Sequence, residues 1–92
     1  MKVKVLFQGI LSEWAGKKKV EVDLPEYGSL AELILELKRI LGTKVPAQVW
    51  HGEKKNINPM VWVMRGQERL VDPQAPLKDG EEITFILGIA GG

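Results

Sequence analysis

The sequence has 92 residues, which fits one domain and leaves no room for a second hydrophobic core. Lys and Arg number 13 and Asp and Glu number 12, for a formal charge of +1, so the chain lacks the basic excess that nucleic-acid binders usually carry. It contains no cysteine, which excludes disulfides, thiolate metal sites and a cysteine nucleophile.

The first residues, MKVKVLF, alternate lysine with apolar side chains, unlike the continuous apolar segment of a signal peptide. No segment approaches the roughly 20 apolar residues that span a bilayer. The single histidine, His51, lies in the polar segment WHGEKK without a second ligand nearby, so we expect no metal site and no cofactor bound by this chain. We therefore expect a cytoplasmic protein that binds neither membranes nor nucleic acids.

Two segments near the start alternate apolar and polar side chains, as half-buried strands do. The first, KVKVLF, places Val3, Val5 and Phe7 on one face, and the second, VEVDL, begins at Val20. The intervening segment EWAGKKK contains Gly16 and predicts a turn. The two strands are therefore expected to form a hairpin.

The segment SLAELILELKRILG predicts an amphipathic helix over residues 29–41. Ser29 and Glu32 have the spacing of a capping box, in which each side chain satisfies a backbone donor at the start of the helix. Gly42 stands where a C-terminal cap is expected. The apolar side chains recur every three or four residues and form one stripe: Leu30, Leu33, Ile34, Leu37, Ile40 and Leu41.

The second half is predicted to hold a long connection followed by three strands. Residues 43–60 have no sustained periodicity, and we interpret them as a connection with a turn or short strand near Val49 and Trp50. VWVMR predicts a strand that ends in a turn at Gly66, and RLV predicts a short strand from Arg69. DPQAPLKDG predicts a loop closed by its Asp-Gly turn, and EEITFILGI predicts the last strand.

The predicted order is β-β-α-β-(β)-β. The one amphipathic helix must bury its apolar stripe, and one face of a mixed sheet is the available partner. We expect an α+β fold, a ubiquitin-like β-grasp roll. Its mixed sheet of four to five strands carries one main helix on one face, and its first and last strands lie side by side. Residues 1–87 are predicted to form this domain and residues 88–92 a flexible tail. The helix stripe is expected to pack against Val3, Val5, Phe7, Val22, Val63 and Phe85.

The sequence ends on two glycines, Gly91 and Gly92, soon after a well-patterned strand. A free terminal carboxylate is ionised at neutral pH and is a poor electrophile. The sequence contains no phosphate-binding glycine loop with a lysine that could activate it. If the carboxylate of Gly92 reacts, another protein must therefore convert it to an acyl adenylate with ATP. Glycine suits such a tail, because bare backbone can pass through a narrow slot.

Four segments carry a resemblance to a known family: VLFQGILSEWAG, VEVDLP, SLAELILELKRIL and PLKDGEEITFILGIAGG. They resemble the MoaD/ThiS family of ubiquitin-like sulfur carriers, which includes the small subunit of molybdopterin synthase. The resemblance covers residues 2–42 and 61–92, and its most specific part is LKDGEEITF followed by the terminal glycine pair.

This resemblance implies a carrier that is not an enzyme. The carboxylate of Gly92 would be adenylated by a ubiquitin-activating-type enzyme with ATP and converted to a thiocarboxylate. A second partner, the molybdopterin synthase large subunit or an equivalent sulfur acceptor, would then receive the sulfur. The residues implied to enter the partner's active site are Gly88, Ile89, Ala90 and Gly91.

Two features depart from the simplest bacterial carriers. Arg65 and Gly66 stand where the family commonly has Asn-Gly, and the connection over residues 43–60 is longer. Both features resemble the ubiquitin-related and small archaeal modifiers, which share the chemistry and can be joined to lysine side chains.

One face of the predicted sheet lacks a helix. Trp62 and Met64 share one face of their strand and Val61 and Val63 the other, so one of these pairs must lie on the uncovered face. An apolar patch on a small protein often marks a docking surface. The resemblance implies that partners contact this face, although Gln8 stands where the family often has an aromatic residue. The expected docking residues are Leu6, Gln8, Leu70 and Ile86.

Three hypotheses follow from the sequence. The first is a sulfur carrier for molybdopterin or a thiamine-type product, and the second is a ubiquitin-like modifier conjugated through Gly92 to lysine. The third is a binding module whose tail takes no part in chemistry.

Overall fold

The computed structural model describes residues 1–50, 58 and 60–88. Its strands are β1 Lys2–Gln8, β2 Lys19–Asp23, β3 Val61–Arg65, β4 Glu68–Arg69 and β5 Glu82–Leu87. Its helices are α1 Ile10–Ala15 and α2 Leu30–Leu41. Two 3-10 turns, Gly42–Lys44 and Ala47–Trp50, follow α2.

The five strands form one mixed sheet in the order β2-β1-β5-β3-β4. β1 pairs with β2 in antiparallel and with β5 in parallel orientation, so the first and last strands lie side by side at the centre of the sheet. β3 pairs antiparallel with both β5 and β4. This arrangement confirms the predicted α+β roll with one main helix.

The hydrophobic core lies between α2 and one face of the sheet. The α2 residues Leu33 and Leu37 are completely buried, as are Val3 and Val5 of β1. Ile40 packs against the edge of this core. The predicted strand partners of the helix are all buried: Val3, Val5, Phe7, Val22, Val63 and Phe85.

The start of α2 follows from its capping box. The backbone N–H of Ser29 donates to the Glu32 carboxylate at 3.3 Å, and the extended backbone of Ser29 precedes the first helical residue. At the other end, the N–H of Gly42 donates to the carbonyl of Lys38, and Gly42 has φ 51°. Glycine suits this position because it adopts positive φ without a side-chain clash.

The connection between β1 and β2 differs from the prediction. The two strands do pair, with Val3 opposite Val22, but helix α1 stands between them where a simple turn was expected. Gly16 ends α1 with φ 74°. Leu11 and Ala15, four residues apart, are buried by this helix and extend the core. The prediction overlooked that spacing, which is typical of one helix face.

The long loop after β4 is fastened to the rest of the fold at several points. The guanidinium group of Arg65 donates to the Glu81 carboxylate and, at 2.7 Å, to the carbonyl of Pro76. The N–H of Leu30 donates to the carbonyl of Ala75 at 2.9 Å. These bonds lead the loop past the start of α2 and into β5, the strand that precedes the tail.

The connection after α2 confirms a turn near Val49. Val45 and Val49 are buried, and Trp50 packs against the core from one of the 3-10 turns. Within the part of the chain that the structure describes, no helix is both long and apolar enough to cross a bilayer.

Candidate functional site

The predicted reactive tail continues from β5. Because β1 and β5 are parallel, both end at the same edge of the sheet, where Gln8 lies opposite Ile86. The described chain reaches Gly88, one residue beyond the end of β5. The remaining tail residues named from the sequence lie outside the described residues, so their roles stay predictions: Ile89, Ala90, Gly91 and Gly92.

Gly88 is held by contacts with Trp62 of β3 and with Met60, the residue that precedes β3. Its backbone N–H donates to the carbonyl of Met60 at 2.6 Å. A Cβ atom at position 88 would lie 2.7 Å from Nε1 and 2.9 Å from Cδ1 of Trp62. Real Cβ atoms essentially never come this close to other atoms, so the indole ring occupies the space that any side chain at position 88 would need.

The Trp62 ring makes a cation–π contact with Arg69. The guanidinium carbon of Arg69 lies 4.3 Å from the centroid of the indole ring. Such a contact contributes about 0.5–1 kcal/mol at an exposed site. Trp62 is 43% exposed, so its ring is open to solvent and to a partner.

The outer sheet face is the sheet surface remote from α2, and at its centre lie Leu6, Gln8, Trp62, Met64 and Ile86. Ile86 stands between Gln8 on β1 and Trp62 on β3, because directly paired residues project to the same face of a sheet. Leu6 and Met64 flank Thr84 in the next row. Leu6, Met64 and Ile86 are partly exposed and Gln8 is exposed, which confirms the predicted orientation of Leu6, Gln8 and Ile86.

Cationic side chains flank this apolar strip at both edges of the sheet. Lys19 on β2 pairs with Leu6, and Arg69 on β4 pairs with Met64. Both are exposed. A partner that covered the strip with an apolar surface and placed carboxylates at its rim would match this charge pattern.

Leu70 does not lie on the outer sheet face, and its predicted exposure was wrong. It is only 7% exposed and belongs to the hydrophobic core. Its N–H donates to the carbonyl of Val63 at 2.8 Å, which continues the pairing with β3 beyond β4. Since Arg69 projects to the outer face, the next residue must project inward.

The sequence analysis missed the contact between Trp62 and Gly88. Alternation in VWVMR left open which pair of side chains faces outward, and the burial of Val61 and Val63 now assigns Trp62 to the outer sheet face. The only sign of this contact in the sequence was a glycine, Gly88, directly after an apolar strand. It became interpretable only once β3 was known to pair with β5.

Within residues 1–50, 58 and 60–88, the charged groups away from the outer sheet face do not form a second candidate site. Among the described residues, no group of three or more His, Cys, Asp or Glu side chains could hold a metal ion, and His51 lies outside them. Arg39 hydrogen-bonds to Glu36 on the exposed surface of α2 and thereby lowers the pKa of that carboxyl group. This pair lies on the helix and not on the outer sheet face.

The strand order and the single main helix define the fold: the protein has the ubiquitin-like β-grasp fold. Its structure matches SAMP1 from Haloferax volcanii with a TM-score of 0.83 over 100% of both chains, at 18% sequence identity. That likeness shows the shared fold. No protein-family model matches the sequence, and a search of curated proteins finds no significant match.

Two further structures are similar over nearly their whole length. One is a putative molybdopterin converting factor, subunit 1, from Pyrococcus furiosus, at 25% identity and a TM-score of 0.69, with 97% of this chain and 99% of that chain covered. The other is a chain of the Amycolatopsis orientalis BexX/CysO complex, at 27% identity and a TM-score of 0.72, with 98% and 99% covered. The predicted resemblance to ubiquitin-like sulfur carriers and small archaeal modifiers is therefore confirmed.

Proposed function

We propose that the protein is a sulfur carrier whose terminal carboxylate, on Gly92, is activated by a partner and then bears the transferred sulfur. The observation that carries this proposal is the position of Gly88, the residue from which the predicted tail continues. Gly88 follows β5 and lies against Trp62 on the apolar outer sheet face, so one partner docked there could also receive the tail. The full-length similarity to a molybdopterin converting factor subunit supports the same assignment.

The chemistry proceeds in two steps. A carboxylate oxygen of Gly92 attacks the α-phosphorus of ATP on an adenylating partner, which forms an acyl adenylate and releases pyrophosphate. A sulfur nucleophile at the oxidation level of hydrosulfide then attacks the carbonyl carbon, and the bond to AMP breaks to leave a thiocarboxylate. The partner supplies the nucleotide site and the catalytic groups, and the protein supplies the docking face and the tail, so it acts as a carrier and not as an enzyme.

The sulfur acceptor in this proposal is a molybdopterin synthase large subunit or an equivalent enzyme of a thiamine-type pathway. BexX and CysO from Amycolatopsis orientalis form a complex, which provides a precedent for a chain of this fold assembled with a second protein. The acceptor and the adenylating enzyme would use the same outer sheet face, since each must receive the same short tail.

The second candidate is a ubiquitin-like modifier joined through Gly92 to lysine side chains. The structural similarity to SAMP1, the small archaeal modifier protein 1 of Haloferax volcanii, favours this use. Both uses share the adenylation step and differ in what attacks the activated carbonyl: a sulfur nucleophile in the carrier, and a lysine amine in the modifier.

Intact-mass analysis of the protein isolated from its native host tests the proposal. The carrier should show a population heavier by the replacement of one oxygen atom by sulfur, and a chain lacking Gly92 should show none. Branched Gly-Gly remnants on lysines in the host proteome would instead support the modifier. If neither product forms under conditions in which the host makes sulfur-containing cofactors, the proposed function is wrong.

Replacing Ile86 by Asp is expected to weaken binding to the adenylating partner by at least about tenfold, because a carboxylate would be left without a partner in an apolar interface. Ile86 is chosen because it stands at the centre of the outer sheet face, between Gln8 and Trp62. Affinity is measured by titration calorimetry, with circular dichroism to check that the variant is folded.

Leu35→Asp is the matched control for this variant. Leu35 is 43% exposed on α2. The substitution therefore introduces the same charge at an exposed apolar position on the other side of the sheet. Its affinity for the partner should equal that of the wild type. Equal weakening by both substitutions would show that the effect comes from charge or stability and not from docking at Ile86.

A further inference from the structure

We infer that Trp62 is a positioning residue for the reactive tail: its indole ring, stacked by Arg69, holds Gly88 against β3 and thereby fixes the point from which the predicted tail continues. The consequence for reaction rate rests on the proposed function, because the direction of the tail matters only if its terminal carboxylate reacts. The contact itself does not depend on that function.

Two independent restraints act on Gly88. The hydrogen bond from its N–H to the carbonyl of Met60, at 2.6 Å, extends the pairing with β3 by one residue beyond β5. The indole of Trp62 lies against the same residue, with Nε1 and Cδ1 2.7 and 2.9 Å from the position of a Cβ atom. The backbone of Gly88 does not have the positive φ that favours glycine at Gly16 or Gly80. The need for glycine at position 88 therefore comes from the contact with Trp62.

If the indole ring of Trp62 turned away from Gly88, it would lose its stacking contact with Arg69. Arg69 lies 4.3 Å from its centroid, and Arg69 is held in register opposite Met64 on the neighbouring strand. A side chain at position 88 would have to displace the indole from this stack or move the backbone away from Met60. Either change would release Gly88 from β3.

Holding Gly88 shortens the reach of the terminal carboxylate. In the proposed function four residues follow Gly88, and a fully extended chain spans at most about 3.3–3.6 Å per residue. The Cα atom of Gly92 can therefore be no more than about 14 Å from that of Gly88, and its carboxylate only slightly farther. The nucleotide of the adenylating partner must lie within that distance. A partner docked on the outer sheet face beside Trp62 would meet this requirement, and a shorter tail keeps the carboxylate at a higher effective concentration there.

Four proteins test this inference: the wild type, Gly88→Ala, Trp62→Ala and the double variant. The rate measured is pyrophosphate exchange into ATP by the ubiquitin-activating-type enzyme of the native host, as a function of protein concentration. Gly88→Ala should lower kcat about tenfold with KM changed less than about threefold, because misdirection of a reacting group lowers the turnover of the bound complex. Trp62→Ala should lower kcat and also raise KM, since it removes part of the docking face.

The double variant separates positioning from any general intolerance of alanine at position 88. When Trp62 is already alanine, the new methyl group at position 88 has no indole ring to collide with. The Gly88→Ala substitution should then lower kcat less than about twofold relative to Trp62→Ala alone. An equal cost of Gly88→Ala in both backgrounds, or no cost when Trp62 is present, would overturn the inference. The melting temperatures of all four proteins check that the fold is retained.

A second measurement needs no partner. Amide hydrogen exchange at residue 88, followed by NMR, should be protected in the wild type by the bond to Met60 and should quicken at least tenfold in Trp62→Ala. An unprotected wild-type amide would overturn the inference whatever the activity. If the amide is protected as expected but the wild type is not adenylated, the contact stands and it is the proposed function, with the role in positioning, that fails.

Discussion

Deletion of Gly92 should abolish adenylation while the melting temperature stays within about 1 °C of the wild-type value. In the proposed function the carboxylate of Gly92 is the reacting group, and removing the residue withdraws that group from a nucleotide site that the partner has fixed. The described core ends with β5, and its buried residues extend no further along the chain than Phe85. A loss of chemistry with unchanged stability is therefore the expected pattern.

Gly91→Val should have nearly the same effect for a different reason. The carboxylate is still present, but a β-branched side chain restricts the backbone and cannot pass a slot shaped for glycine. We expect a rate at least a hundredfold below wild type in pyrophosphate exchange, with docking affinity unchanged because Ile86 and its neighbours are intact.

Tyr27→Ala serves as the control for both tail variants. Tyr27 is 92% exposed and lies shortly after β2, near the end of the sheet where β5 begins and therefore remote from Gly88. Its exchange rate should equal that of the wild type. If a chain without Gly91 and Gly92 still complemented a host strain that lacks the protein, the tail would have no chemical role and the carrier proposal would fail.

The architecture was predictable because its signals are local and repeat many times. Alternation over β1 and β5, the capping box of Ser29 and Glu32, and the 3.6-residue period of α2 each indicate one element without knowledge of the others. Helix α1 was missed because six residues between two glycines offer fewer than two turns of periodicity. Its only signal is the spacing of Leu11 and Ala15.

The outer sheet face was predictable only as far as strand boundaries were correct. Leu6, Gln8 and Ile86 lie in long strands, where alternation fixes the face of each side chain. The strand predicted from Arg69 instead spans Glu68–Arg69, and its two residues carry too little pattern to fix which face Leu70 occupies. A shift of one residue in a strand exchanges the two faces, so a side chain predicted on the surface can lie in the core. This is why Leu70 was expected on the outer sheet face although it is buried.

The contact between Trp62 and Gly88 depends on pairing between distant parts of the chain. β3 and β5 are separated by 16 residues that include β4 and a long loop, and the register that sets Trp62 opposite Ile86 comes from the assembled sheet. Sequence periodicity assigns a side chain to a face but not to a neighbour. Local patterns therefore predicted which side chains share the outer sheet face, whereas the contact between Trp62 and Gly88 could be found only in the structure.

Leu37→Ala should destabilise the fold by about 2–5 kcal/mol, the range for removing a buried leucine side chain and leaving a cavity. Leu37 is completely buried at the middle of the α2 stripe, between Leu33 and Leu41. Total stabilities of single domains are about 5–15 kcal/mol, so this loss is a large fraction of the whole. For a domain of 92 residues, a melting temperature lower by at least about 8 °C is expected.

Leu35→Ala is the matched control, because it makes the same substitution two residues away on the same helix. Leu35 is 43% exposed, and alanine has the higher helix propensity, so its free energy of unfolding should change by less than about 0.5 kcal/mol. Chemical denaturation of both variants gives the comparison. If Leu37→Ala also cost less than about 0.5 kcal/mol, α2 would not pack on the sheet through this stripe. The surface assigned to partner docking would then be open to question as well, because its exposure follows from which sheet face α2 covers.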